Sequence, residues 1–223
     1  MRTKTLLLTA ALAAAGAASA MAQNVYSVNA VGYVNETIPP GFSLRVQPFK
    51  GGARDLATLI PNAPNGLTVY KLNDNGSFEI DTWNPAPDSF WDSGGAMTIP
   101  EGKGIIVNNG GGSFVNTFVG EVAQGTAGTG NQLQNPIAPG VVVRSSLVPQ
   151  RGLLSTDLGF IPAGALVTTQ YGPDGQSFII KNYDPTIGTV QDNWLDGEPT
   201  IEIGEAFYIQ SGGESWNRNF SVN

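Results

Sequence analysis

Two stretches of this chain carry one pattern, and that repetition limits the architecture more than any single residue does. The first reads Phe78-Glu-Ile-Asp-Thr-Trp83-Asn-Pro85, then Phe90-Trp91, Ile99-Pro-Glu-Gly102, Gly110-Gly111, Ser113-Phe114 and Phe118. The second reads Phe178-Ile-Ile-Lys-Asn-Tyr183-Asp-Pro185, then Asn193-Trp194, Ile201-Glu-Ile-Gly204, Gly212-Gly213, Ser215-Trp216 and Phe220. The pairs Gly102/Gly204, Gly110/Gly212, Gly111/Gly213, Ser113/Ser215 and Phe118/Phe220 all lie 102 residues apart. The second stretch reads as a diverged copy of the first. A chain of 223 residues then holds two units of ordinary domain size.

The local signals within each copy are those of short strands and tight turns. Ile38-Pro-Pro-Gly41 and Ile137-Ala-Pro-Gly140 open the copies with a Pro-Gly turn, since Pro fixes the first central φ and Gly permits a positive second one. Strands are expected at Phe42 to Val46 and Val141 to Ser145, with Arg45 and Arg144 in the same place, and at Gly66 to Leu72 and Ala165 to Tyr171. Asn75-Gly76 and Asp174-Gly175 mark hairpins, because these residues tolerate the left-handed region. Ile105 to Asn108 and Phe207 to Gln210 are apolar runs that suit central strands. Asp55 to Pro61 and Thr156 to Pro162 are each one helical turn or a loop, ended by proline. Val25 to Val34 reads as a further strand ending in Val-Gly-Tyr-Val, and Val119-Gly-Glu-Val122 resembles it ahead of the second copy. No segment supports a long amphipathic helix. With 29 Gly, 15 Pro and 13% charged residues, composition agrees. The expected fold is all-β: two tandem duplicated antiparallel β-sandwich or small β-barrel domains, at 23–122 and 137–223, joined by a linker at 123–136.

Residues 1–22 form a secretory signal. Arg2 and Lys4 are its positive region, Leu6 to Ala15 its apolar core, and Ala20-Met21-Ala22 its cleavage site. The apolar run is short for a bilayer span, so export into the periplasm, to the cell surface or beyond is expected, without membrane insertion. Loss of Arg2 and Lys4 leaves 11 − 2 = 9 basic against 18 acidic residues, a formal charge of −9. Such a chain is repelled by nucleic acid.

The string Val28-Asn-Ala-Val-Gly-Tyr-Val-Asn35 with Pro40-Gly-Phe-Ser-Leu44, and the ending Gly204-Glu-Ala-Phe207 with Trp216 and Phe220-Ser-Val-Asn223, resemble uncharacterised exported β-repeat proteins of planctomycete- and verrucomicrobia-type bacteria. That family commonly carries Asn-Pro-Leu where this chain has Gln47-Pro48-Phe49. The resemblance spans nearly the whole chain beyond residue 22. It implies export and a β fold, with no activity, cofactor or site.

The chain has no cysteine and no histidine, which removes disulfides, thiolate or imidazole zinc sites, cysteine nucleophiles and a Ser-His-Asp triad. Trp83, Trp91, Tyr183 and Trp194 are candidates for stacking on sugar rings, but aromatics kept in both copies are more simply core residues. Asp192, Asp196 and Glu198 sit within seven residues and are candidate oxygen ligands for a hard cation; the EF-hand template fails at Asn73 to Gly76, where Lys71 and Thr82 take ligand positions. Asp184, Asp192, Glu198, Glu202 and Glu205 supply carboxylates for glycoside hydrolysis in principle, although spacing in sequence cannot set their separation. Gly110-Gly-Gly112 lacks the Lys-Ser/Thr of a phosphate loop and reads as a turn. The reading is a secreted, non-catalytic structural or adhesive β-protein of the envelope or extracellular matrix, with no cofactor; its strand Val25 to Val34 either folds back onto its own domain or adds to the sheet edge of a neighbouring molecule and drives self-association. The alternative is a secreted carbohydrate-binding module that holds an envelope polysaccharide on those four aromatics.

Overall fold

The computed structural model describes residues 30–84, 90–126 and 132–222. The signal segment 1–22, residues 25–29 of the expected first strand and residues 127–131 of the expected linker lie outside the described residues. The alternating and β-branched runs become antiparallel strands throughout. In the first half these are β1 (Val31–Ile38), β2 (Gly41–Arg45), β3 (Thr68–Leu72), β4 (Phe78–Thr82), β5 (Ile105–Asn109) and β6 (Phe114–Glu121), with one helical turn, α1 (Leu56–Leu59). In the second they are β7 (Leu133–Ile137), β8 (Gly140–Arg144), β9 (Gly152–Leu153), β10 (Leu166–Tyr171), β11 (Phe178–Tyr183), β12 (Thr200–Ile201), β13 (Phe207–Ser211) and β14 (Glu214–Arg218).

The larger sheet of the first half has the order β2-β5-β3-β4, and that of the second β8-β13-β10-β11, so corresponding strands take corresponding places. Each half also has a two-stranded ribbon, β1-β6 or β7-β14. The period-2 alternation of a strand explains the layering. In β5, Ile105 and Val107 turn to a cluster with Ile38, Phe118, Leu56 and Trp91 beneath the β1-β6 ribbon. Ile106, between them, turns the other way, into a cluster with Leu44, Leu72, Val143 and Ala206. That second cluster belongs to both halves. A third, with Ile137, Phe160, Phe207, Ile209 and Trp216, lies under the β7-β14 ribbon. The result is all-β and sandwich-like, ribbon on sheet on sheet on ribbon. No sheet among the described residues closes into a barrel, so the small-barrel form is not adopted.

One expectation changes on folding, and one open alternative is decided. The Val-Gly-x-Val strings do not lead two separate copies; they pair with each other, Gly32 opposite Gly120 and Tyr33 opposite Val119. Phe49 explains the glycines, since a Cβ on Gly32 would stand 2.6 Å from its ring and one on Gly120 2.7 Å from its Cβ. Of the two courses open to the N-terminal strand, folding back onto its own chain is the one taken over Val31–Ile38, which pairs with β6.

Across the middle, backbone bonds between the halves come in matched pairs. Val46 N–H donates to Gly204 O (2.8 Å) and Ser145 N–H to Gly102 O (3.0 Å). Ala206 N–H donates to Leu44 O (3.2 Å) and Gly104 N–H to Val143 O (3.1 Å). The inner edge strands β2 and β8 are thus closed by the opposite half.

Candidate functional site

The four aromatics proposed as a sugar platform are placed by the turns that follow β4 and β11. Trp83 and Trp91 meet edge to face with centroids 5.4 Å apart, and Tyr183 and Trp194 do the same at 5.0 Å. Trp91, Tyr183 and Trp194 are each no more than 3% exposed, and Trp83 packs half-buried against the first cluster. A stacking ligand needs an open ring face, which these three buried residues do not offer. Their polar atoms are turned inward as well. Trp194 Nε1 donates to Ser155 Oγ (3.0 Å), and Asn193 Nδ2 to the Tyr183 hydroxyl (3.3 Å).

The acidic loop disperses in the same way. Asp192 Oδ2 accepts from the Thr189 hydroxyl (2.7 Å), and Asp196 Oδ2 from Asn182 Nδ2 (2.9 Å). Glu198 accepts from Thr156 N–H (2.7 Å), Thr156 Oγ1 (2.8 Å) and Ser155 N–H. The three carboxylates bond to separate segments: the turn at Thr189, Asn182 on β11, and the turn at Ser155 and Thr156. No group of three or more His, Cys, Asp or Glu among the described residues is placed to hold a metal ion, so Asp192, Asp196 and Glu198 do not assemble a cation site. Asp184 is likewise spent on a turn, accepting from Thr186 N–H (2.9 Å) and Oγ1 (2.7 Å).

Charge gathers instead where the halves meet, and differently on the two sides. On one side Asp74 Oδ1 accepts from Lys103 Nζ (2.9 Å) and Arg144 Nη2 (3.0 Å). Partial burial alone would raise the Asp74 pKa; the hydrogen bonds and charges of Lys103 and Arg144 outweigh it and hold it below 3.8. On the other side Arg45 Nε lies 3.6 Å from Glu36, with Glu202 and Glu205 nearby. Burial pushes the Glu36 pKa above 4.5; Arg45 opposes this, and Glu205 and Glu202 add to it. Glu205 is held by Gln170 Nε2 (3.0 Å) and by the backbone N–H of Glu202 (3.0 Å). The groove beside it, about 290 Å³, runs past Phe42 and Tyr171, whose rings stack at 5.6 Å. Of the five carboxylates considered for hydrolysis, only Glu202 and Glu205 come together, and Glu205 is already tied to the protein.

What sequence reasoning missed is the placement of the large apolar side chains left in water. Val31, Tyr33, Val115 and Val119 project from the outer face of the β1-β6 ribbon. The corresponding face of β7-β14 is polar, presenting Gln134, Pro136, Ser215 and Asn217. Phe78 and Ile80 stand exposed on β4, and Phe178, Ile179 and Ile180 on β11, the outermost strands of the two sheets. The alternation of β1 shows in its burial and not in its residue types, and nothing in sequence said which strands would be outermost. No helix among the described residues is long and apolar enough to cross a membrane. No family model, curated protein or solved structure matches this chain.

Proposed function

We propose that the chain is a non-catalytic structural or adhesive β-protein, exported to the cell envelope or extracellular matrix, that works through contacts of its β surfaces. One observation carries this reading: three of the four aromatics that would serve a sugar are buried, while branched and aromatic side chains on the β1-β6 ribbon, β4 and β11 face solvent. Contiguous exposed apolar surface is costly to maintain and marks interaction sites. The contrast between the two ribbons supports it further. The same element has a polar outer face in one half and an apolar one in the other, so folding alone does not require the apolar side chains. The matched strand orders are in keeping with two halves that are diverged copies.

The test is co-fractionation with the envelope and matrix of the producing cell, run beside affinity electrophoresis in soluble polysaccharides. The chain is expected to partition with envelope protein and to migrate unretarded in every polysaccharide. Retardation by a polysaccharide, with a change in tryptophan emission, would instead establish the carbohydrate-binding alternative.

A further inference from the structure

We infer that the outer edges of the two large sheets are a self-assembly interface, in which β4 of one molecule pairs antiparallel with β11 of the next. This rests on the reading above and names its partner as a second copy of this chain. Each large sheet has two edges. The inner ones, β2 and β8, are closed by backbone bonds from the opposite half, which leaves β4 and β11 as the outer edges of these sheets. An edge strand exposes unpaired peptide groups and is a template for further pairing.

The phase of the hairpins defines the open part of each edge. Asn73 N–H donates to Ser77 O (2.8 Å) and Gly172 N–H to Ser177 O (2.8 Å). Bonded and non-bonded pairs alternate along antiparallel strands, so Phe78 and Ile80 on β4, and Phe178 and Ile180 on β11, turn their peptide groups outward. Further along, the edges are covered: Thr82 O accepts from Asp92 N–H (3.0 Å) and Asn182 O from Leu195 N–H (3.0 Å). Among the described residues, the same tripeptide form, Phe-x-Ile, is left open on both.

Two such tripeptides are complementary when antiparallel. Phe78 faces Ile180 and Ile80 faces Phe178, each as a bonded pair, giving four backbone bonds and two aromatic–branched contacts. Those side chains are 53–57% exposed in the single molecule and gain cover together. On the opposite sheet face Glu79, paired with Lys71 in its own sheet, lies across from Ile179 and diagonal to Lys181, whose ammonium donates to Asp196 O and has further donors to share. Pairing β4 with another β4 would instead set Glu79 against Glu79, and like charges directly opposite are destabilising. The mixed pair avoids that repulsion, and unlike β11 paired with another β11, which sets Ile179 against Ile179, it brings a carboxylate and an ammonium together across the seam. It joins different surfaces, so assembly proceeds head to tail into a filament unless its rotation closes a ring.

Sedimentation velocity on the chain from residue 23, which contains every described residue, tests this with Ile80→Lys and Ile180→Lys. The wild-type chain is expected to form larger species as concentration rises, and each variant alone to remain monomeric. Mixed together, the variants should form a one-to-one heterodimer and stop, since each retains one intact edge. Both sites are half-exposed, so unchanged melting curves are expected. Should either variant fail to fold, Glu79→Lys mixed with Lys181→Glu probes the same contact: each alone associates less than wild type, and the mixture recovers. A wild-type chain that is monomeric throughout, an Ile80→Lys variant that still associates, or a mixture that does not pair overturns the inference. The structural reading itself falls only if the chain also fails to co-fractionate with envelope protein.

Discussion

Trp91 and Trp194 occupy matching places after β4 and β11, yet their indole nitrogens fare differently. Trp194 Nε1 bonds Ser155 Oγ, whereas Trp91 Nε1 is buried with no hydrogen-bond partner among the described residues. Replacement by Phe removes similar volume from both cores, so the hydrogen bond decides the difference. Trp194→Phe is expected to destabilise by about 1 kcal/mol more than Trp91→Phe, because it also orphans a buried hydroxyl. Urea denaturation of the two variants measures this directly. Equal losses would mean the Ser155 bond adds nothing net. Close approach gives a second comparison. A Cβ at Gly120 meets Lys50 O at 2.9 Å as well as Phe49, while one at Gly32 meets only the Phe49 ring. Backbone cannot swing aside as a ring can, so Gly120→Ala should cost roughly 1–3 kcal/mol and Gly32→Ala less.

At the scale of elements, sequence left Asp55 to Pro61 and Thr156 to Pro162 as helical turn or loop, and the two halves resolve the choice differently. Asp55 caps α1, accepting from Thr58 N–H (2.9 Å) and its hydroxyl (3.0 Å). In the second half the matching position is Thr156, and no α-helix forms there. Its turn takes a carboxylate from 42 residues away, Glu198, on Thr156 N–H and Oγ1. Asp55→Ala is expected to cost about 1 kcal/mol, the usual loss of an N-cap. Glu198→Ala should loosen residues 152–158, read as faster amide exchange there with β10 and β13 unchanged. Exchange that stays slow would assign Glu198 to solvent. Because Glu198, Asp192 and Asp196 bond to separate segments of the chain, added calcium is expected to leave the melting temperature unchanged, which a calcium titration checks.

For the whole molecule, the cluster of Leu44, Leu72, Ile106, Val143 and Ala206 makes the halves share their stability. Leu44→Ala, at a 2% exposed site, is expected to cost about 2–5 kcal/mol and to lower one common transition. Two calorimetric transitions, with only one moved, would show the halves to be independent. The charged contacts flanking this cluster respond oppositely to pH. The folded pKa of Glu36 is raised, so its contribution is full below the unfolded value near 4.5 and is lost as pH rises through the folded value. That of Asp74 is lowered, so its contribution is present above 3.8 and is lost as pH falls through the folded value. Glu36→Gln should therefore flatten the loss of stability as pH rises from acid. Asp74→Asn should be weaker than wild type near neutrality and converge with it in acid, modestly, because Asp74 is half exposed and water screens it. Parallel pH–stability curves for both variants and wild type would refute these assignments.

Sequence by itself determined what is local. Pro-Gly and Asn-Gly fix turns through the φ they allow, and alternation fixes which residues share a face. Strands at 42–46, 105–108, 141–145 and 207–210 were legible on those grounds and appear within a residue of their expected ends. The absence of cysteine and histidine likewise removed whole chemistries without any coordinates. Only the tertiary structure decided what depends on two distant segments meeting. Trp83, Trp91, Tyr183 and Trp194 carry the same residue types whether they bind or pack, and burial was settled by what covered them. Gly32 and Gly120 looked like two separate lead strands until Phe49 was found against both. Nothing in Phe-x-Ile says whether it lies inside a sheet or at its margin, because strand order follows from long-range pairing that no local pattern encodes. That order sets β2 and β8 where the opposite half bonds to them and leaves β4 and β11 as the outer edges among the described residues.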